Sequence, residues 1–331
     1  MTSQIKDILK WRILVLDGAM GTMIQRLNLT EEQYRGERFR SVTASQKGNI
    51  DLLTLSQPNV IKQIHREYLE AGADIIQTNT FNATTVSMEN YGLQDYVHEI
   101  NYMAAKTARS VADEFTAKNS SKPRFVAGSV GPTNKTTSMK QKGTKVSTID
   151  FDELLISYEE QIEALVDGGV DIIMIETVFD TLNAKAALFA VQNIFKKREK
   201  EIPIIVSATL SDRVGNTYTG ESIEEFVASI RHINLLSVGL NCSFGAAEMK
   251  PHLKQLKSVS PFFVTAYPNA GIPNEMGVYH ETPKKMAAII KEYLNEELVN
   301  IVGGCCGTTP QHIASITKIV ANATPPTPLA R

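Results

Sequence analysis

The sequence predicts a (β/α)8 barrel, and three observations carry that prediction. Eight short apolar runs alternate with stretches of helical periodicity along 331 residues, the pattern of strand and crossover helix repeated around a closed parallel sheet. Most runs are rich in Val, Ile and Leu with little alternation, as expected of strands buried on both faces. The residues with chemical character gather at the C-terminal ends of the runs: Asp17-Gly18, Asn79, Gly128-Ser129, Glu176-Thr177, Asn241-Cys242, Asn269 and Cys305-Cys306. A barrel collects those ends on one rim, where such folds build active sites. An open doubly wound sheet, the alternative, would hold the first and eighth strands apart.

The strand candidates are 13–20, 73–79, 124–131, 171–177, 202–209, 236–242, 262–269 and 299–306. The first helix candidate, 57–71, carries Val60, Ile61, Ile64, Tyr68 and Leu69 as a stripe of 3.6-residue period and stops at Gly72. The stretch 93–118 supplies the helix after the second strand. Helices over 151–166, 181–197, 222–233, 246–259, 282–294 and 310–320 complete the alternation, with Pro283 and Pro310 where a first-turn proline is tolerated. The charge run 196–201 mixes both signs and reads as a solvated helix end. Two polar connections, 28–50 and 133–147, lie over the expected rim as substrate loops or as peripheral decoration. The barrel is assigned to 1–323. Residues 324–331 form a proline-rich tail, a linker or a frayed terminus.

Composition narrows the function classes. A formal net charge of -2 gives no sign of a nucleic-acid or membrane partner. No apolar run is long enough to span a bilayer, and residues 1–12 do not look like a secretory signal. Three cysteines are too few for a disulfide scaffold, so a reducing cytoplasm is expected. The six histidines have no metal spacing among themselves and read as surface or helix-packing residues. No His-Glu-x-x-His, Walker or GxGxxG pattern occurs.

The cysteines are the most informative residues. One strand candidate ends on Cys242, and another ends on Cys305-Cys306 between glycines. In a barrel the sixth and eighth strands can aim rim residues at one point. Structural zinc sites use four protein ligands, whereas catalytic sites use three and keep a position open. Three cysteines without a fourth fit the open kind, and a substrate thiol bound there would lose its proton. Buried thiols, a vicinal disulfide and a redox thiol remain as alternatives. The Asp17-Gly18-Ala19-Met20-Gly21-Thr22 stretch either leads a strand into a helix or offers backbone N–H groups to a carboxylate. Glu176 follows an apolar strand and requires a partner, either a substrate ammonium or a neighbouring Arg or Lys.

Taken together, Asp17-Gly-Ala-Met-Gly-Thr22, Thr78-Asn-Thr-Phe81, Glu176-Thr177, Gly239-Leu-Asn-Cys242, Tyr267-Pro-Asn-Ala-Gly271 and Gly303-Gly-Cys-Cys-Gly307 resemble the homocysteine S-methyltransferase family. The resemblance runs over about 11–320. It implies a (β/α)8 barrel with zinc held by Cys242, Cys305 and Cys306 and homocysteine as substrate. It also implies that the Asp17-Gly18 turn meets the substrate carboxylate and Glu176 its ammonium. Asn241 joins them as a candidate substrate contact, and Asn269 approaches zinc when homocysteine is absent. The stretches 51–58, 131–135, 179–186 and 300–310 are most similar to the homocysteine-binding module of the cobalamin-dependent methionine synthase subfamily. That implies methylcobalamin as an external methyl donor, carried with folate by other modules or by a separate chain. No cobalamin-binding element is recognisable, so the chain is expected to be a fragment or one half of a split enzyme. Betaine or S-methylmethionine as donor, and a noncatalytic homocysteine- and zinc-binding docking module, are the alternatives.

Overall fold

The computed structural model describes residues 2–137 and 148–329. Eight parallel strands run in chain order around a barrel: β1 (Leu14–Val15), β2 (Ile75–Gln77), β3 (Phe125–Val130), β4 (Ile172–Val178), β5 (Ile204–Ala208), β6 (Ser237–Gly245), β7 (Phe263–Asn269) and β8 (Ile301–Val302). Neighbours pair sequentially from β2 to β8, and β8 pairs with β1. A parallel bridge between Leu16 and Ile75 joins β1 to β2. Around that junction the Asp74 N–H donates to the Val15 carbonyl at 2.7 Å, and the Asp17 N–H to the Ile75 carbonyl at 2.9 Å. The expected (β/α)8 barrel is the fold.

The strand alternation has two destinations. Leu14, Leu16, Ile75, Phe125, Ile172, Met174, Ile205 and Ile301 fill the barrel interior. Val15, Ile76, Val126, Ile173, Val206, Val238, Val264 and Val302 pack outward against the helices. Both sets are apolar, which is why the runs lack polar alternation. The enclosing helices are Pro58–Glu70, Val97–Lys118, Phe151–Gly168, Thr181–Arg198, Ile223–Ile230, Ala246–Val259, Pro283–Asn295 and Pro310–Val320. Side-chain caps start several of them close to the rim. Asp150 accepts from the Glu153 N–H, Asp180 from those of Leu182 and Asn183, and Thr282 from that of Lys285. Ser222 and Glu225 form a capping box.

The structure adds elements that periodicity does not reveal. A helix over Thr2–Ile8 precedes the barrel. Ile5, Ile8 and Leu9 are buried against the interior cluster and close its N-terminal end. Residues 28–50 are folded rather than irregular. Thr30 and Gln33 cap a helix over Glu31–Arg35, the Glu31 carboxylate accepts from the Gln46 and Lys47 N–H groups, and Phe39 packs with Leu52, Met88 and Val97. Of the second long connection, residues 138–147 lie outside the described residues; Thr133 accepts from Asn183 Nδ2 at 3.1 Å. The proline-rich tail is held to the barrel at Pro326 and Thr327. Pro326 is buried, its carbonyl accepts from Asn300 Nδ2 at 2.7 Å, and the Thr327 carbonyl accepts from Lys257 Nζ at 2.7 Å. No helix among the described residues is long and apolar enough to cross a membrane.

Candidate metal and substrate site

Short end strands make the rim. The regular strands β1 and β8 end at Val15 and Val302, several residues before the ends of the apolar runs, and only single interstrand bonds continue past them, such as the Leu16–Ile75 bridge and the Gly303 N–H to the Ala266 carbonyl at 3.0 Å. The backbone beyond forms the Asp17 turn and the Gly303–Gly307 segment, joined by the Gly304 N–H to the Asp17 carbonyl at 3.2 Å. At β6 the ladder to β7 shifts register between Asn241 and Gly245, and Cys242 and Ser243 take left-handed φ values of 55° and 57°. At β4 a second shift lies between Ile175 and Val178, and Thr177 has φ 58°. Such bulges re-aim side chains at strand ends.

The β8 segment is fixed by its own backbone. The Cys305 N–H donates to the Pro268 carbonyl at 2.8 Å, the Ala270 N–H to the Cys306 carbonyl at 2.9 Å, and Thr308 Oγ1 to the Cys305 carbonyl at 2.6 Å. The Gly307 N–H donates to Thr22 Oγ1 at 2.9 Å. This scaffold brings the sulfurs of Cys242, Cys305 and Cys306 within 4.8 Å of one another. The Cys242 to Cys306 separation is 3.8 Å and that between Cys305 and Cys306 is 4.0 Å, with all three thiols free. The group can hold a metal ion. Its charge is shared unevenly: hydrogen bonds from Cys305 and Cys306 hold the Cys242 thiol well down, and both donors are pushed up in turn.

Beside the sulfurs is a cavity of about 450 Å³ lined by Asp17–Thr22, Gln77–Phe81, Ser129, Glu176, Thr177, Tyr267, Tyr279 and the three cysteines, among others. Glu176 is buried, with Oε1 accepting from Ser129 Oγ and Oε2 from Tyr267 Oη at 3.4 Å. Burial pushes its carboxyl up to about 7, against the pull of those two donors. Asp17 accepts from the Gln77 N–H at 2.9 Å and from Gln77 Nε2 at 3.2 Å. Burial raises its carboxyl well above the usual range, and nearby Glu176 adds to the shift. Two buried carboxyl groups therefore face a cavity whose lining, among the described residues, contains no Lys, Arg or His. The space favours a cationic group.

Six sequence candidates, Asp17, Gly18, Glu176, Cys242, Cys305 and Cys306, line this one cavity. Asn241 and Asn269 stand outside its lining. Asn241 is buried, with its amide engaged by Thr177 and Ser207. Asn269 lies next to Cys242, where its side chain helps lower the thiol, and its buried Oδ1 has no hydrogen-bond partner. Ser129 and Tyr267, which hold Glu176, are site residues that their local sequence does not mark as carboxylate partners. Gln77, which holds Asp17, and Tyr279, which faces the cysteines, are likewise recognisable only once folded.

The matches to known proteins agree with this geometry. The family model described as homocysteine S-methyltransferase matches residues 14–320. Among solved structures, the metallated form of the homocysteine methyltransferase MmuM from Escherichia coli is similar at a TM-score of 0.71 and 21% identity, covering 93% of this chain and 96% of that one. Its oxidized form gives 0.71 at 22% identity over 92% and 95% of the two chains. Its apo form gives 0.66 at 21% over 94% and 97%. At these identities the structures bear on the fold, whereas the sequence match runs from the first barrel strand to the last helix. On that match, the chain belongs to the homocysteine S-methyltransferase family.

Proposed function

We propose that the chain methylates homocysteine to methionine at the three-cysteine site, with zinc as the metal and methylcobalamin, presented by a separate module or chain, as donor. The observation that carries this reading is the convergence of three cysteine sulfurs beside a buried carboxylate in one cavity. The donor set fits zinc. Zinc–sulfur bonds of about 2.3 Å in tetrahedral geometry separate sulfurs by about 3.8 Å, close to the 3.8 and 4.0 Å found here. The partnerless Asn269 Oδ1 supports a role for Asn269 near the metal when homocysteine is absent.

When bound, zinc supplies the positive charge that keeps a substrate sulfur deprotonated at neutral pH. The chain's own residues position that substrate. Glu176, steadied by Ser129 and Tyr267, takes the ammonium. The Asp17-Gly18 turn meets the carboxylate through its backbone, the lining among the described residues holding no cationic side chain. The homocysteine thiol gives its proton to solvent on binding. Its sulfur then attacks the methyl carbon in line, and the donor departs with the bonding pair. Orientation of the two reactants and activation of the sulfur are the contributions asked of the protein.

The donor assignment draws on the subfamily-like stretches 51–58, 131–135, 179–186 and 300–310. Betaine and S-methylmethionine, the alternative donors, each carry a carboxylate of their own, which a methyl group on methylcobalamin does not. Zinc-loaded protein assayed separately with methylcobalamin, betaine and S-methylmethionine tests this. Methionine formed from methylcobalamin supports the proposal. Turnover with only a small donor would replace the donor. Binding of zinc and homocysteine without turnover from any donor would favour a docking module carrying cobalamin- and folate-binding partners.

A further inference from the structure

The geometry points to Asn241 as a positioning residue that locks the metal corner of the site to its ammonium corner, an inference that rests on the function proposed above. Asn241 precedes the ligand Cys242, and Thr177 follows the carboxylate Glu176. The Thr177 N–H donates to Asn241 Oδ1 at 3.0 Å, and Asn241 Nδ2 donates to Thr177 Oγ1 at 2.8 Å. Ser207 Oγ on β5, between the two strands, also donates to Asn241 Oδ1 at 2.6 Å. One buried amide thus joins β4, β5 and β6 where the β4–β5 and β6–β7 ladders shift register.

The backbone makes this bridge necessary. Thr177 and Cys242 both hold left-handed φ, which is unfavourable for a β-branched residue and for any residue bearing a Cβ. Such conformations persist when the surroundings over-determine them. The ladder has lapsed at both positions, so side-chain hydrogen bonds replace it. The neighbouring Ser243 is held similarly, its Oγ accepting from the Leu210 N–H at 2.7 Å and bonding to Thr209 Oγ1. Asn241 does not line the cavity, so it acts through Cys242 and Glu176 rather than on substrate. Homocysteine has its sulfur and its ammonium on one short chain. The distance between the two corners therefore decides whether both ends are satisfied together.

The test compares zinc-loaded wild type with Asn241→Leu, Glu176→Gln and the double variant, reading zinc content, melting temperature and homocysteine affinity by calorimetry. Asn241→Leu is expected to keep one zinc and weaken homocysteine binding about tenfold, the scale of losing a buried bridge. The two substitutions should be strongly non-additive, because without the latch the Glu176 interaction is already lost. Thr177→Val, which removes only the hydroxyl half of the bridge, should weaken binding about threefold; it decides the matter if Asn241→Leu does not fold. An unchanged homocysteine affinity with only a lower melting temperature would overturn the latch, as would additive effects in the double variant. A wild type that binds no homocysteine would instead remove the proposed substrate, so the two failures are distinguishable.

Discussion

The sulfurs of Cys242 and Cys306 lie 3.8 Å apart although 64 positions separate them in the chain. Two strand ends that share no local sequence context produce that approach. Their separation depends on the barrel being closed and on both ladders ending where they do.

The cysteines should fail together. Cys305→Ser is expected to lower zinc content and homocysteine methylation in parallel, activity falling by at least about 100-fold, since loss of outer-shell support alone costs 10–100-fold at metal sites. Metal analysis beside turnover checks this. Full activity in protein without zinc would refute thiolate activation by the metal.

Glu176→Gln should leave zinc bound and weaken homocysteine binding by about tenfold or more, the cost of a charge-assisted hydrogen bond. Calorimetry on the zinc-loaded variant reads both quantities. An unaltered affinity would take the ammonium away from Glu176.

The pH dependence of amino-acid binding follows from the same carboxyl. Burial raises Glu176 from 4.5 to about 7. An ammonium needs the ionised form, so affinity should increase as pH rises through about 7. Methionine is the appropriate probe because its thioether does not titrate. Ser129 donates to the ionised carboxylate and pulls its proton affinity down. Ser129→Ala should therefore move the inflection to higher pH, whereas a shift to lower pH would contradict the assignment.

Asp51 makes a prediction about stability alone. Its Oδ2 accepts from the Asn82 N–H at 3.1 Å, its buried Oδ1 has no partner, and burial raises it from 3.8 to about 7. The folded state then binds a proton that the unfolded chain releases near pH 4. Stability is lost as pH rises from about 4 to about 7 and stays low above that. Asp51→Asn should flatten this slope and be more stable than wild type above pH 7, on the order of a few kcal/mol. Denaturation midpoints at pH 5 and pH 8 measure the difference.

Gly307 has φ 80°, and a Cβ there would overlap the Cβ of Tyr279 across the cavity wall. Gly307→Ala should displace Tyr279 and disturb neighbouring Cys306, costing about 1–3 kcal/mol of stability and reducing zinc affinity. Competition against a chelator reports the affinity, and an unchanged value would show that the cysteine loop tolerates the shift.

The sequence by itself determined the barrel, its order of strands and helices, and which strand ends carry chemistry. Apolar runs with no polar alternation can only be buried on both faces, and Asp17, Glu176, Cys242 and Cys305-Cys306 all follow such runs. Tertiary structure decided what these residues do to one another. Strand ends become the rim where regular pairing gives way to single interstrand bonds, and the register shifts at Thr177 and Cys242 have no signature in residue type. Ser129 and Tyr267 meet Glu176, and Asn241 meets Thr177, across strands far apart in sequence. The helix over Thr2–Ile8 gains its role the same way, from the open barrel end that only the closed sheet creates. Local sequence encodes burial and periodicity, whereas the span between a sulfur and a carboxylate is a property of barrel closure.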